Sequence, residues 1–315
     1  MIGALILGTM LGPYPLTPAD IWRELSGHSA GGTVATVFWN IRLPRVLAAA
    51  LVGAALAAAG ACYQSAFRNQ LVSPDILGVS AGAGLGAVLG IYLGLPVLAI
   101  QLLGFGTGLA TVGLVISISL AMGGAALVMV LCGIAVGALA GAGISLIKLL
   151  ADPDNQLPAI TFWLMGSLAG IKRGDVWAAA PAILAGLVPL MLLRWRIGLL
   201  ALGDDEARSL GINAGAVRVV VVTAATLMTA AAVSMAGVIG WVGLMVPHML
   251  RPLTGPRFDR LLPAAILGGA SFMLLVDLAA RMLARQEIPL GILTAVLGAP
   301  VFVLLLARSA AEWRN

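Results

Sequence analysis

Charge is what this sequence has least of. Only 10% of its 315 residues are Asp, Glu, Lys or Arg, against 61% hydrophobic residues and a mean hydropathy of +1.06. Soluble domains carry about 25% charged residues, so water is excluded as the main solvent of this chain. Lysine occurs only at Lys148 and Lys172, neither in a GxxxxGK[ST] loop, which excludes a phosphate-binding loop for ATP within the chain. Histidine is limited to His28 and His248, without an HExxH pair, and cysteine to Cys62 and Cys132, both inside apolar runs. That leaves no ligand set for a dedicated metal site and calls for no cofactor; the thiols read as buried and free. Strict alternation of apolar and polar residues is also missing, which sets aside a membrane β-barrel.

What is present is a series of apolar runs measured against the ~20 residues a spanning helix needs. Clear runs lie near residues 46–66, 78–95, 97–119, 125–150, 176–193, 216–236, 261–283 and 290–307. Two shorter ones, 1–12 and 238–250, bring the count to ten. The chain therefore reads as an all-α polytopic membrane protein of about ten transmembrane helices. The first run lacks a basic start and an Ala-x-Ala site, so it reads as a truncated first membrane helix rather than a signal peptide. Residues 13–41, with Pro13, Pro15 and Pro18 and a short helix from about Asp20, read as an extramembrane loop. The net charge of +5 collects where apolar runs end, which suits lipid headgroups and not nucleic acid.

Forty glycines fit close helix packing in lipid. Gly78, Gly82, Gly86, Gly90 and Gly94 recur every fourth residue and predict a groove that another helix fills; Gly133, Gly137 and Gly141 repeat the device. Arg45 heads RVLAAALVGAALAAAGA and Arg218 heads RVVVVTAATLMTAAAVSM, an echo expected of an inverted repeat of two five-helix halves.

Three motifs carry both a sharp and a bland reading. Gly78 to Gly82 match GxSxG, with Ser80 a nucleophile and His248 a distant base for an intramembrane serine protease. The same glycines belong to the helical stripe, which lacks the strand-turn-helix context that the motif needs. Ser145 and Lys148 form an SxxK pair without the companion lactamase motifs, and the lysine reads as snorkelling at a helix end. Asp277 and Arg281 stand four apart on one helix face, so they pair, either structurally near the headgroups or in function. An ion-coupled secondary transporter would need acids near mid-membrane, and apart from Asp277 the spans offer almost none. Residues 203–211, GDDEARSLG, predict a short helix capped by Asp204 or Asp205 and ended by Gly211, either a surface turn or a docking element.

The stretch RLPRVLAAALVGAALAAAGACYQSAFRNQLVSPDILGVSAGAG at 42–84 resembles the signature of FecCD-type permeases. These are the membrane subunits of binding-protein-dependent ABC importers for iron chelates, haem and cobalamin. LLALGDDEARSLGIN at 199–213, GWVGLMVPH at 240–248 and residues 262–300 resemble the rest of that family. Two departures stand out: Asn69-Gln70-Leu71 replaces the usual Asn-Pro-Leu, and Gly237-Val238-Ile239-Gly240 replaces Gly-Pro-Ile-Gly.

The resemblance implies a single permease domain over 1–315, multi-pass in a bacterial or archaeal cell membrane, with the pathway at a homodimer interface. It implies transport by alternating access rather than enzyme chemistry, with ATP hydrolysis in a separate homodimeric ATPase and cargo delivered by a periplasmic or lipid-anchored substrate-binding protein. Gly203, Asp204, Asp205, Glu206, Ala207, Arg208, Ser209, Leu210 and Gly211 then form the coupling segment, with its helix near 204–210. Arg42, Arg45 and Arg281 match positions that meet glutamates of the binding protein, the alternative being headgroup anchoring. Residues 156–168 resemble a short gating helix, making Phe162, Trp163 and Met165 pathway residues. Lys172 and Arg173 would face the outer vestibule, either drawing in an anionic chelate or capping the loop.

Overall fold

Apolar runs without water around them must close their backbone hydrogen bonds within the segment. The computed structural model describes residues 1–28, 31–255 and 257–312, the last eight of these by backbone alone, and no strand occurs among the described residues. Among the described residues, six helical stretches are long and apolar enough to cross a membrane. The first, Gly32–Ala66, joins α3 (Gly32–Thr36), a π-helical segment (Val37–Arg42) and α4 (Leu43–Ala66). The others are α6 (Val97–Ala121), α7 (Ala126–Leu150), α9 (Arg173–Leu192), α12 (Ala214–Ala236) and α14 (Phe258–Met282).

The expected count of ten spans is not confirmed, for local reasons. Helix α1 (Ile2–Met10) is nine residues long. Helix α5 (Val79–Tyr92) stops early because the chain turns at Gly94, whose φ of +67° suits glycine. Helix α13 (Val242–Thr254) carries Pro247 and Pro252 and runs for thirteen residues. Helix α15 (Leu290–Glu312) is apolar in its described part, Leu290–Leu304. The loop after α1 holds α2 (Pro18–Leu25), opened by Thr17, which takes the Asp20 amide on its hydroxyl while its own amide donates to the Asp20 carboxylate.

Helices α4 and α12 form the centre of the bundle, with 83% and 78% of their apolar windows buried against 17% for α7. They run antiparallel: Tyr63 near the end of α4 meets Thr226 at 3.3 Å, and Arg218 at the start of α12 donates to the Ala66 carbonyl at 3.3 Å. Small residues allow this depth of contact. A Cβ on Gly53 would strike the carbonyl of Gly269 on α14, and one on Gly60 would strike that of Gly243 on α13.

The predicted glycine groove is real in its middle only. Gly82 and Gly86 face Thr111 and Thr107 of α6, and Gly90 faces Ile100. Gly78 instead caps α5 with φ of +77° and meets Gly137 of α7, while Gly94 lies past the helix end. Repeats of four drift around a helix of 3.6 residues per turn, so one stripe reaches two neighbours.

Candidate functional site

At one end of the bundle, α9 turns into α10 (Arg194–Leu200) and then α11 (Asp204–Ser209). The predicted short helix is present, but its first cap is Gly203, with φ of +131° and no side-chain bond, rather than Asp204 or Asp205. Asp204 is drawn away to Arg218, with Oδ1 2.8 Å from the guanidinium, so the side chain that would cap the helix ties it to α12. The end follows expectation. Gly211 has φ of +78°, its amide donates to Arg208 at 2.9 Å, and the Ile212 amide donates to Ala207 at 2.9 Å. This is the paired closure of a Schellman motif, and it buries Ala207 and Ile212 beneath the helix. Asp205, Glu206, Arg208 and Ser209 remain exposed on the outer face, and Leu210 is 56% exposed beside them.

At the opposite end, Arg42, Arg45 and Arg281 do come together, and all three are buried at 4–6% exposure. Arg45 Nε reaches Asp277 at 2.8 Å, and its other two nitrogens grip Glu287 at 2.9 and 2.8 Å. Arg281 Nε lies 3.2 Å from Asp277, which realises the pair expected from their spacing. Its terminal nitrogens donate to the carbonyls of Gly8 and Leu11, and Arg42 donates to those of Leu11 and Tyr14. The last carbonyls of a helix have no intrahelical donor, so these arginines close the end of α1. Three cations around the almost wholly buried Asp277 are tolerable because every guanidinium finds a carboxylate or carbonyl. The sequence reading found the arginines and Asp277 but missed Glu287, which sits 242 residues from Arg45.

Between these ends lies α8 (Gln156–Leu164), shorter than the expected 156–168. The chain leaves the helix at Gly166, with φ of +73°, and its backbone groups beyond that point bond across the bundle. Ser167 donates to Ala236 at 2.8 Å, Leu290 to Gly166 at 2.9 Å and Gly291 to Met165 at 3.0 Å. Irregular backbone at membrane depth is stable only when satisfied in this way. Cavities flank α8. One of about 400 Å³ is lined by Phe162, Trp163, Ser167 and the end of α12. The other, about 470 Å³, is lined by Met165, Trp241, Ile292 and Val296. Trp241 was not singled out from the sequence. It adopts φ of +71°, sparse for a bulky residue, and packs its ring 6.2 Å from that of Phe302.

Lys172 and Arg173 are exposed at the start of α9, and Arg173 lines a separate groove between α4 and α9 rather than either α8 cavity. Ser80 lies in the first turn of α5 and donates to Asp75, while the His248 ring stacks edgewise on Phe302. No hydrogen bond joins the two among the described residues, so the GxSxG spacing builds no nucleophile-base pair. No group of three metal-ligating side chains occurs among the described residues.

The model of the FecCD transport family matches residues 1–308. The Fe(3+) dicitrate transport system permease protein FecD of Escherichia coli K12 is 40% identical, covering 98% of this chain and 96% of its own. The molybdate import system permease protein MolB of Haemophilus influenzae is 36% identical over 96% of this chain and 91% of its own. A solved structure described as an inward-facing conformation of a metal-chelate type ABC transporter superposes with a TM-score of 0.89 at 35% identity, covering 98% and 96% of the two chains.

Proposed function

The chain belongs to the FecCD transport family, and from that premise we propose that it is one half of the pathway of a binding-protein-dependent ABC importer in a bacterial or archaeal cell membrane. The whole chain acts as one permease domain, pairs with a second copy of itself and moves a metal chelate by alternating access. A separate ATPase supplies the energy. One observation carries this reading: α11 is tied to the core by the Asp204–Arg218 bridge and its Schellman closure while its outer face stays open. A short helix fixed on its inner side and free on its outer side transmits a push from a partner to α12.

Other features support the remaining parts. Helix α7 is the least buried of the six spans, and Gly141 on it meets nothing within 4 Å, which leaves room for a partner helix. The inverted repeat is supported by α4 and α12, which run antiparallel and each begin on a buried, ion-paired arginine, Arg45 and Arg218. The binding protein docks at the arginine end. Because Arg42, Arg45 and Arg281 are spent internally in this conformation, docking proceeds by carboxylate exchange, with Glu287, 37% exposed, as the acid that an incoming one replaces.

The cargo is a metal chelate such as an iron-siderophore, haem or cobalamin, and the weakly adhesive lining of the α8 cavities, where Asp175 is the only charged residue, supports its passage along this face. A second cargo class, a compact oxyanion, is favoured by the relative named for molybdate import.

Vesicle uptake tests the reading. With ATPase and binding protein added, uptake depends on ATP. Leu210→Arg lowers both ATPase association and uptake by about tenfold or more, as a disrupted interface anchor does, while thermal stability holds. Uptake that persists without the ATPase subunit overturns the proposal.

A further inference from the structure

A groove of about 280 Å³ runs down the flank of the bundle between α4 and α9. Leu43, Leu47 and Leu51 form one wall at a spacing of four, and Val176, Trp177 and Ala180 form the other. Both walls belong to membrane-length apolar helices, and Leu47 and Trp177 remain 42% and 67% exposed. The groove therefore opens toward hydrocarbon.

Its mouth is of different chemistry. Trp39, in the π-helical segment that leads into α4, and Arg173, the first residue of α9, stand there. The Trp39 indole donates to Glu24 at 3.0 Å, which fixes the ring. Asp175, the acid on the same turn as Arg173, is occupied on both oxygens by the Lys172 amide at 2.8 Å and Gln101 at 3.0 Å. The Arg173 side chain is exposed and makes no hydrogen bond or ion pair among the described residues. From Trp39 to Leu51 the groove extends about 18 Å at ~1.5 Å per residue, slightly more than half of a ~30 Å hydrocarbon core.

We propose that this groove holds one phospholipid, its acyl chain lying along residues 43 to 51 and its phosphodiester on Arg173. An apolar slot one leaflet deep, with Trp39 at its rim and an unpaired guanidinium at its mouth, matches a lipid at both ends. Indoles sit at headgroup depth, and guanidinium binds phosphate through paired donors. A bare phosphate would leave the slot unfilled, and a partner helix would leave Arg173 without its anion.

The full chain in mild detergent is offered phosphatidylglycerol, phosphatidylethanolamine or inorganic phosphate separately, and bound mass is read by native mass spectrometry. The expected result is one phospholipid per chain with either headgroup and no phosphate adduct. Leu47→Trp, which fills the slot, lowers retention about tenfold. Arg173→Ala lowers it about threefold. Leu114→Trp, at a 51% exposed site on α6, leaves it unchanged. Equal retention by the two tryptophan variants overturns the proposal, since only annular lipid is then present. So does binding of inorganic phosphate alone, or a chain-to-chain crosslink from Leu47→Cys, which would mean that a second copy fills the groove.

Discussion

The two ends of the bundle treat charge in opposite ways. At the arginine end, Asp277 is 1% exposed and Arg45, Arg42 and Arg281 are nearly as buried, so all three guanidinium groups are spent inside the fold and only Glu287 reaches water. At the α11 end a single bridge, Asp204 to Arg218, goes inward, and the exposed Asp205–Arg208 pair faces outward. The first end holds α1, α4 and α14 together; the second holds one short helix in place and leaves its face free. Ion pairs of similar length, 2.8 to 3.2 Å, thus do different work according to their access to water.

Removing one carboxylate at a time is the way to break that contrast. The largest effect is expected for Asp277→Ala, which strands two buried guanidinium groups and costs about 3–5 kcal/mol, read as a fall in Tm of the detergent-purified chain. An unchanged Tm would mean that water already reaches the cluster. Asp204→Ala comes next. It leaves Arg218 buried, yet the Asp204 side chain is itself 32% exposed, so water replaces part of the bond and the loss is about 1 kcal/mol. Hydrogen exchange should rise in α11 more than elsewhere; a uniform rise would show that the bridge holds no local element. Asp205→Ala should leave Tm unaltered, since both it and its partner Arg208 are largely open to water. A measurable loss there would erase the distinction between the two ends.

Much of this was legible in the residues because its causes are local. The Asp277–Arg281 pair follows from a spacing of four on one helix, and the end of α11 follows from Gly211, the residue type that adopts positive φ without strain. The start of α11 was misread for a reason that no local rule contains: Asp204 had a better partner in Arg218 than in its own backbone. Glu287 escaped notice because it lies in an ordinary polar loop, 287 in the chain against 45 for its partner. Trp241 gave no signal either, since its φ of +71° is a conformation expected of glycine rather than of a bulky residue. The family resemblance supplied the proposed coupling and docking roles; the exposure of the residues concerned came from the structure.

By itself the sequence determined the solvent, the helical class and those helix ends that glycine or proline marks. Each depends on hydropathy, on hydrogen bonds four residues apart and on glycine or proline at a terminus, all of which act within a few residues. Only the tertiary structure decided which arginines are buried, which glycines touch which backbone and where α8 divides its two cavities. Those depend on contacts between segments up to 273 residues apart, such as Arg281 with Gly8, which exist only after the helices have packed.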